Sequence, residues 1–218
     1  MSKRNANGTD RARQMVAQEA ARIIVDHGLR DYHVAKIKAA ERLGLIARGS
    51  LPGNVEIERA VGERLQLFSG DSHADFLRTM RVTALSAMGL LSPFTPRLVG
   101  PVLHGTADAN APVDLHLFTD SAEAVALWLS ELGVSYRPYE RRLKRRRDCA
   151  DRYAGFQFHH ENASVEATVF PVDGIRQAPI SPVDGKPMRR ADAKAVSVLL
   201  EPTGGRFIEG SKAQRSEP

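Results

Sequence analysis

Apolar residues recur every three or four positions through the first half of the chain, which is the period of an amphipathic helix. This spacing predicts helices over residues 10–27 and 31–43. Two further helices are predicted between Asn54, a residue type typical of helix caps, and Pro93, which ends the pattern. Residues 69–71, with the sequence Ser-Gly-Asp, are expected to separate these two helices.

Beyond Pro96 the pattern changes to short runs that are rich in apolar and β-branched residues. Such runs predict strands over residues 98–104, 113–118, 134–143, 153–160 and 164–172. The last two runs alternate and are joined by residues 161–163, which predicts a hairpin. Helical spacing returns over residues 121–132 and 191–200.

These patterns predict an α+β fold in three parts: a helical domain over residues 10–92, an α/β domain over 93–201 and a disordered polar tail over 202–218. Apolar residues make up 42% of the chain and charged residues 26%, a composition typical of globular proteins. The longest apolar run, residues 124–129, is far shorter than the ~20 residues of a membrane helix. Cys149 is the single cysteine, so no internal disulfide forms and a cytoplasmic location is expected.

The positive charge of the chain is modest in total but concentrated in one place. Lys and Arg number 31 against 26 Asp and Glu, yet six of the seven residues from 141 to 147 are basic. Such a cluster attracts phosphates, so Arg145, Arg146 and Arg147 are candidate contacts for a nucleotide or a nucleic acid. The alternative is an ordinary solvated strand end.

One constellation of residues suggests chemistry. Gly105 and Thr106 lie between two predicted strands, and a glycine turn lets backbone amides approach phosphates closely. Asp114 and His116 are two residues apart on the next predicted strand, so they point to the same face. Glu166 follows on the predicted hairpin. Carboxylates grouped in this way hold divalent metal ions.

The order of these residues resembles the polymerase-β-like nucleotidyltransferase superfamily. In that superfamily a strand ends in Gly-Ser, the next strand carries an acid–apolar–acid triplet, and a later strand supplies a third acid. The resemblance covers residues 97–172 and an α+β fold with a mixed sheet and flanking helices. It implies that Gly105 and Thr106 hold the phosphates of an NTP, and that Asp114 and Glu166 are catalytic. It also implies that Asp114, His116 and Glu166 bind Mg²⁺ or Mn²⁺.

The sequence departs from the superfamily pattern in its acids and its spacing. His116 stands where the second acid is expected, and the spacer that follows Gly105 is a few residues short. In an alternative alignment Asp114 corresponds to the second acid of the triplet, and the first acid is then missing. In either alignment one carboxylate is lost, which predicts a degenerate metal site in a protein that binds nucleotide or nucleic acid.

Two alternatives to this degenerate protein stay open. One is an active nucleotidyltransferase that moves a nucleoside monophosphate from an NTP to a hydroxyl acceptor. The other is a non-catalytic protein–protein adaptor whose N-terminal helices form the contact surface. The whole chain also resembles a bacterial protein family that shares stretches like residues 100–106 and 181–188, and this resemblance implies no particular activity.

Overall fold

The computed structural model describes residues 2–45, 51–146 and 149–201. Arg147 and the predicted tail, residues 202–218, lie outside the described residues. Within the described part, the fold is α+β, with a helical N-terminal region followed by a mixed sheet, as the sequence predicts. No helix in that part is long and apolar enough to cross a membrane.

The N-terminal region consists of three helices, which are α1 (Ser2–His27), α2 (Tyr32–Arg42) and α3 (Asn54–Leu90). The Asp31 carboxylate caps α2 by accepting hydrogen bonds from the first backbone amides of the helix. Helix α3 joins the two helices predicted on either side of residues 69–71. It bends there because Gly70 has φ 39° and ψ −121°, a conformation open to glycine.

Small side chains bring these helices close together. Ala20, Ala35, Ala39 and Ala40 are fully buried between α1, α2 and the first half of α3. The second half of α3, from Leu77 onward, belongs to another hydrophobic cluster, which it shares with the sheet. The two clusters therefore divide along α3 near its bend.

The carboxylate of Glu19 links α1 to α2. It accepts hydrogen bonds from Arg22 at 2.8 and 2.9 Å and from Arg42 at 3.2 Å. The hydrogen bonds from Arg22 are the main cause that lowers the pKa of Glu19 to about 2. A depressed carboxyl pKa stabilises the folded state at pH values above the unfolded pKa, and this stability is lost as pH falls through the folded pKa.

We expect wild type to be more stable than Glu19→Gln by about 1 kcal/mol at neutral pH, a value that allows for solvent screening. This difference should vanish as pH falls from 4.5 toward about 2. Urea denaturation at a series of pH values measures it. Glu41→Gln, an exposed position on α2, is the control and should show no such loss. A difference for Glu19→Gln that does not change with pH would contradict the role of the ionised carboxylate.

The sheet has five strands in the order β1-β2-β5-β4-β3. Strands β2 and β5 are parallel, and the other neighbours are antiparallel. The strands are β1 (Arg97–Val99), β2 (Val113–Phe118), β3 (Tyr136–Arg146), β4 (Cys149–His160) and β5 (Ala163–Phe170). The helices that accompany them are α4 (Gly100–His104), α5 (Ala122–Glu131) and α6 (Ala193–Val198). The predicted hairpin is confirmed as β4–β5.

The strand predicted over residues 98–104 is wrong beyond Val99, because α4 begins at Gly100. Gly100 has φ +72°, which turns the chain out of the extended conformation, and Pro101 then favours the first turn of a helix. A Cβ atom at position 100 would also lie only 2.9 Å from Oδ2 of Asp114. Glycine is therefore required at this position by both its backbone conformation and its neighbour.

The sheet has one apolar and one polar face. Alternate residues of β2 and β5, such as Leu115 and Ala167, pack with the second half of α3 and with α5. The residues between them point to the opposite face, which we name the polar face. Its side chains on the two central strands include Asp114, His116, Glu166 and Thr168.

Strands β3 and β4 extend beyond the rest of the sheet. The pairing of β4 with β5 stops at Gly155, whereas the pairing of β3 with β4 continues as far as Cys149. Residues 140–146 and 149–154 therefore form a two-stranded antiparallel ribbon, which we name the basic ribbon. Leu143 and Tyr153 anchor one side of it against Phe118 and Phe170.

Candidate functional site

Asp114 and Glu166 lie side by side at the centre of the polar face. The parallel register of β2 and β5 places the two residues directly opposite each other, so both carboxylates point to the same side of the sheet. Their side chains are only 11% and 14% exposed. Two carboxylates at close range and largely shielded from water repel each other strongly unless a cation lies between them.

Arg141 of the basic ribbon supplies that cation. One guanidinium nitrogen donates to Oδ1 of Asp114 at 3.0 Å, and the other donates to Oε2 of Glu166. The guanidinium also lies over the ring of Tyr139, 5.4 Å from its centroid. Arg141 is thus held by two ion pairs and a stacking contact at the position where a metal ion shared by the two carboxylates would lie.

Tyr139 reaches the centre of the sheet because β4 has no side chain in its path. Tyr139 lies opposite Gly155, and a Cβ atom there would be 2.3 Å from the tyrosine ring. Across this gap, the Tyr139 hydroxyl forms a 2.9 Å hydrogen bond with Oγ1 of Thr168. Gly155 thereby allows the tyrosine ring to lie beneath the Arg141 guanidinium.

A second cation reaches the pair from the helical region. Arg30, in the connection between α1 and α2, donates to Oε1 of Glu166 at 3.2 Å and to the carbonyl of Asn110 at 3.5 Å. Its side chain is half exposed. Two guanidinium groups therefore balance two carboxylates. We name Arg30, Asp114, Arg141 and Glu166 the arginine–carboxylate cluster.

Burial dominates the electrostatics of this cluster. It raises the pKa of Asp114 above its usual value, and this effect outweighs the opposing charge of Arg141. Burial also lowers the pKa of Arg141, but the charges of its partners, Asp114 foremost, more than compensate. Arg141 therefore stays charged, and its charge opposes the effect of burial on the pKa of Asp114.

His116 lies on the polar face two residues after Asp114 but is engaged elsewhere. It is 1% exposed, its ring lies 4.4 Å from that of Phe170, and its Nδ1 accepts a 3.0 Å hydrogen bond from Arg190. Burial, reinforced by the charges of Arg190 and Arg141, holds the pKa of His116 well below its usual value. The ring is therefore neutral, with one nitrogen already occupied.

The predicted metal ligands do not fit a divalent ion in this arrangement. The oxygens of Asp114 and Glu166 point at Arg141, and His116 is bonded to Arg190. In the part of the chain that the structure describes, no three His, Cys, Asp or Glu side chains are grouped to hold a metal. Metal binding by Asp114, His116 and Glu166 stays a prediction, and it requires Arg141 to move.

Gly105 and Thr106 lie in a different place from the acid pair. Gly105 ends α4 with φ +83°, and the Thr106 hydroxyl donates to Glu58 of α3 at 2.6 Å. Thr106 lines a cleft of about 530 Å³ between α3 and the loop at residues 181–184, and neither Asp114 nor Glu166 lines it. Phosphate binding by Gly105 and Thr106 stays a prediction, but the turn at the strand end is at Gly100.

Gly100 also changes the comparison with the superfamily pattern. The spacer to Asp114 is five residues longer when it is counted from Gly100 instead of Gly105. Pro101 then stands where the pattern has serine. Two residues before Asp114 lies Pro112 and two residues after it lies His116, so neither alignment restores the missing acid.

The basic ribbon presents cations to solvent. Arg142 lies opposite Arg152 and Lys144 lies opposite Ala150, on the side that faces away from the sheet. Arg152 pairs with Glu140 and Arg145 with Asp151, whereas no carboxylate of a described residue pairs with Arg142 or Lys144. The backbone of Arg146 belongs to β3, and Arg147 lies outside the described residues.

Comparison with known proteins gives no match to a protein-family model, to a curated protein or to a solved structure. The chemistry of the chain is therefore inferred from its own side chains. Two features stand out: a buried acid pair neutralised by arginines, and a ribbon with exposed cations that no described carboxylate pairs. The sequence singles out both acids and the ribbon. It does not indicate Arg30, Tyr139 or Arg190, which are distant in sequence from the acids that they serve.

Proposed function

We propose that this protein binds nucleic acid through its basic ribbon and that it is a degenerate nucleotidyltransferase-like protein without transferase activity. The observation that carries the proposal is the exposed positive charge of Arg142 and Lys144 on a projecting two-stranded ribbon, where neither residue forms an ion pair with a described carboxylate. Cations without carboxylate partners gain most from phosphate contacts, because no internal ion pair has to be broken.

The shape of the ribbon favours duplex DNA as the ligand. The major groove of B-form DNA admits a two-stranded antiparallel ribbon, whereas that of A-form RNA is too narrow. Residues 140–146 span about 20 Å at the usual rise of a strand, enough to cross several phosphates. The side of the ribbon that carries Arg142 and Lys144 has alanines at positions 150 and 154 and no aromatic residue, so stacking on single-stranded bases is not expected.

The arginine–carboxylate cluster is the reason to propose that transfer chemistry is lost. Nucleotidyl transfer by this class of site depends on metal ions held between carboxylates. Here Arg141 lies between the only two acids of the predicted site. The same arginine connects the base of the basic ribbon to the centre of the sheet through its two ion pairs. We infer that it orients the ribbon and does not take part in catalysis.

A double substitution of the ribbon tests the proposal. We expect Arg142→Ala with Lys144→Ala to weaken binding to duplex DNA roughly tenfold at moderate salt. The slope of log K against log salt should fall by about 2, since two phosphate contacts are lost. Fluorescence anisotropy with a labelled 20-base-pair duplex at several salt concentrations measures both quantities.

The matched control removes two exposed cations from the helical region, Arg11→Ala with Lys38→Ala, and should leave affinity and slope unchanged. This control distinguishes a specific effect of the ribbon cations on DNA affinity from a general effect of the net charge of the protein. Equal effects of the two double variants, or the absence of wild-type binding to duplex DNA, would contradict the proposal. Single-stranded DNA of the same length should bind more weakly than the duplex.

An active nucleotidyltransferase is the second candidate, and the register of Asp114 against Glu166 favours it. In that case Asp114 and Glu166 would hold a metal ion, and Arg141 would have to release both carboxylates. Incubation with labelled NTPs, Mg²⁺ or Mn²⁺ and RNA or the protein itself as acceptor decides between the two. We expect no transfer by wild type, and transfer that Asp114→Ala abolishes would replace the first proposal with this one.

A further inference from the structure

Arg190 is a partly buried cation that carbonyl groups and aromatic rings hold in place. It lies between the 3-10 helix Val172–Arg176 and the sheet, with its guanidinium 4.9 Å from the ring centroids of Phe118 and Phe170. Its Nη1 donates to the carbonyls of Gly174 and Ile175 at 2.8 and 3.3 Å. No carboxylate of a described residue forms an ion pair with it.

Two buried hydrogen-bond donors, one on Arg190 and one on the neighbouring His116, lack an acceptor among the described residues. One is the Nη2 group of Arg190. The other is Nε2 of His116: a guanidinium can only donate, so Nδ1 of His116 accepts from Arg190 and the proton of the neutral ring is on Nε2. A buried donor without an acceptor destabilises the folded state, and native proteins rarely leave two such donors together.

The surroundings of these donors are positive. Burial, assisted by the charge of Arg97 and opposed by Tyr153, lowers the pKa of Arg190 to about 10. Arg97 lies opposite His116 in the β1–β2 register and has no carboxylate partner in the described part of the chain. A water molecule could accept from the two donors, but it would leave the charge of Arg190 unbalanced.

We propose that Arg190, His116 and Arg97 form a binding site for a phosphate-sized oxyanion on the polar face of the sheet. Both donor atoms are closed to solvent in the structure, so the anion reaches them only when the partly exposed side chain of Arg190 shifts outward. The anion then accepts from Nη2 of Arg190 and Nε2–H of His116, and it supplies the negative charge that no described carboxylate provides to the two arginines. The site lies toward the carboxyl ends of the parallel strands β2 and β5, where ligands of α/β sheets commonly bind. Its donors are different from the cations of the basic ribbon and of the arginine–carboxylate cluster, although Tyr153 of the ribbon packs against the same Phe170 ring.

Calorimetric titration with inorganic phosphate and with a nucleoside monophosphate tests the site. We expect Arg190→Met to raise the dissociation constant tenfold or more, because a charge-assisted hydrogen bond and the countercharge are both lost. Methionine keeps an apolar stem over the two phenylalanines. Arg189→Met removes the same charge from the neighbouring exposed residue and should leave phosphate affinity unchanged.

The two ligands distinguish the source of the phosphate. Tighter binding of the nucleoside monophosphate assigns the site to a phosphomonoester, and equal binding assigns it to the free anion. The ribbon variant Arg142→Ala with Lys144→Ala should bind both ligands as wild type does. If the ribbon variant loses duplex binding but still binds phosphate, the proposal of a phosphate site is unaffected. If Arg190→Met loses phosphate binding but the wild-type ribbon still binds duplex DNA, the proposal of nucleic-acid binding by the ribbon is unaffected.

Nitrogen-15 NMR of wild-type protein provides a measurement that does not depend on a folded variant. The ring of His116 should carry its proton on Nε2, and phosphate should shift that resonance in a saturable manner. Either of two results overturns the proposal: a His116 signal that phosphate does not move, or phosphate affinity that falls equally in Arg189→Met and Arg190→Met.

Discussion

Arg141→Met should be among the most destabilising substitutions in this protein, with an expected loss of about 3–5 kcal/mol in the free energy of unfolding. The variant leaves the carboxylates of Asp114 and Glu166 side by side, 11% and 14% exposed, and among the described residues the half-exposed Arg30 is the remaining ion-pair partner. Methionine preserves much of the side-chain volume, so the loss reports mainly on charge. Urea denaturation at neutral pH measures it.

The neighbouring residue provides a matched control. Arg142→Met removes the same charge from an exposed position on the other side of the ribbon and should cost less than about 0.5 kcal/mol. Adding Asp114→Asn and Glu166→Gln to Arg141→Met should recover most of the loss, because the buried charges are then removed together with their partner. Similar costs for Arg141→Met and Arg142→Met would contradict the role of Arg141 as the internal cation.

The same variant should respond to pH and to divalent ions. Burial already raises the pKa of Asp114, and loss of Arg141 should raise it further. For an acid with a raised folded pKa, stability is present at low pH and lost as pH rises through that pKa, so the deficit should grow from acid to neutral pH. Mg²⁺ or Mn²⁺ should restore part of the stability of Arg141→Met and have no such effect on wild type.

Local patterns predicted the parts of the fold that depend on local burial. The helical spacing before Pro93 and the alternation on either side of residues 161–163 each report directly which side of an element is buried. The prediction of a strand over residues 98–104 is wrong beyond Val99, because a short apolar run is equally typical of a buried strand and of a buried helix. The glycine at position 100, which turns the chain, could not be told from an ordinary strand glycine by spacing alone.

The candidate site was predictable only in part. The order of Asp114 and Glu166 along the strands suggested that they meet, and the parallel register brings them together. The cation between them was not predictable, because the side of the sheet on which Arg141 lies depends on pairing with Tyr153 and on the gap at Gly155. Arg30 is 136 residues from Glu166, a contact that no local pattern indicates.

Gly100→Ala is expected to destabilise the fold substantially more than Gly105→Ala, although both glycines have positive φ, +72° and +83°. Either alanine incurs a backbone cost of about 1–2 kcal/mol. At position 105 the nearest atoms to a new Cβ are 3.7 Å away, so no further cost arises. At position 100 the Cβ would lie 2.9 Å from Oδ2 of Asp114, a carboxylate that Arg141 holds in place.

The additional cost at position 100 should be about 1–3 kcal/mol, as for overpacking in a rigid core, and urea denaturation of the two variants measures it as their difference. Asp114→Ala provides the test of its cause. In that background the carboxylate is absent, so Gly100→Ala and Gly105→Ala should cost nearly the same. A difference that persists without the Asp114 side chain would show that Gly100 is required by the backbone alone, and that its contact with the acid pair has no energetic role.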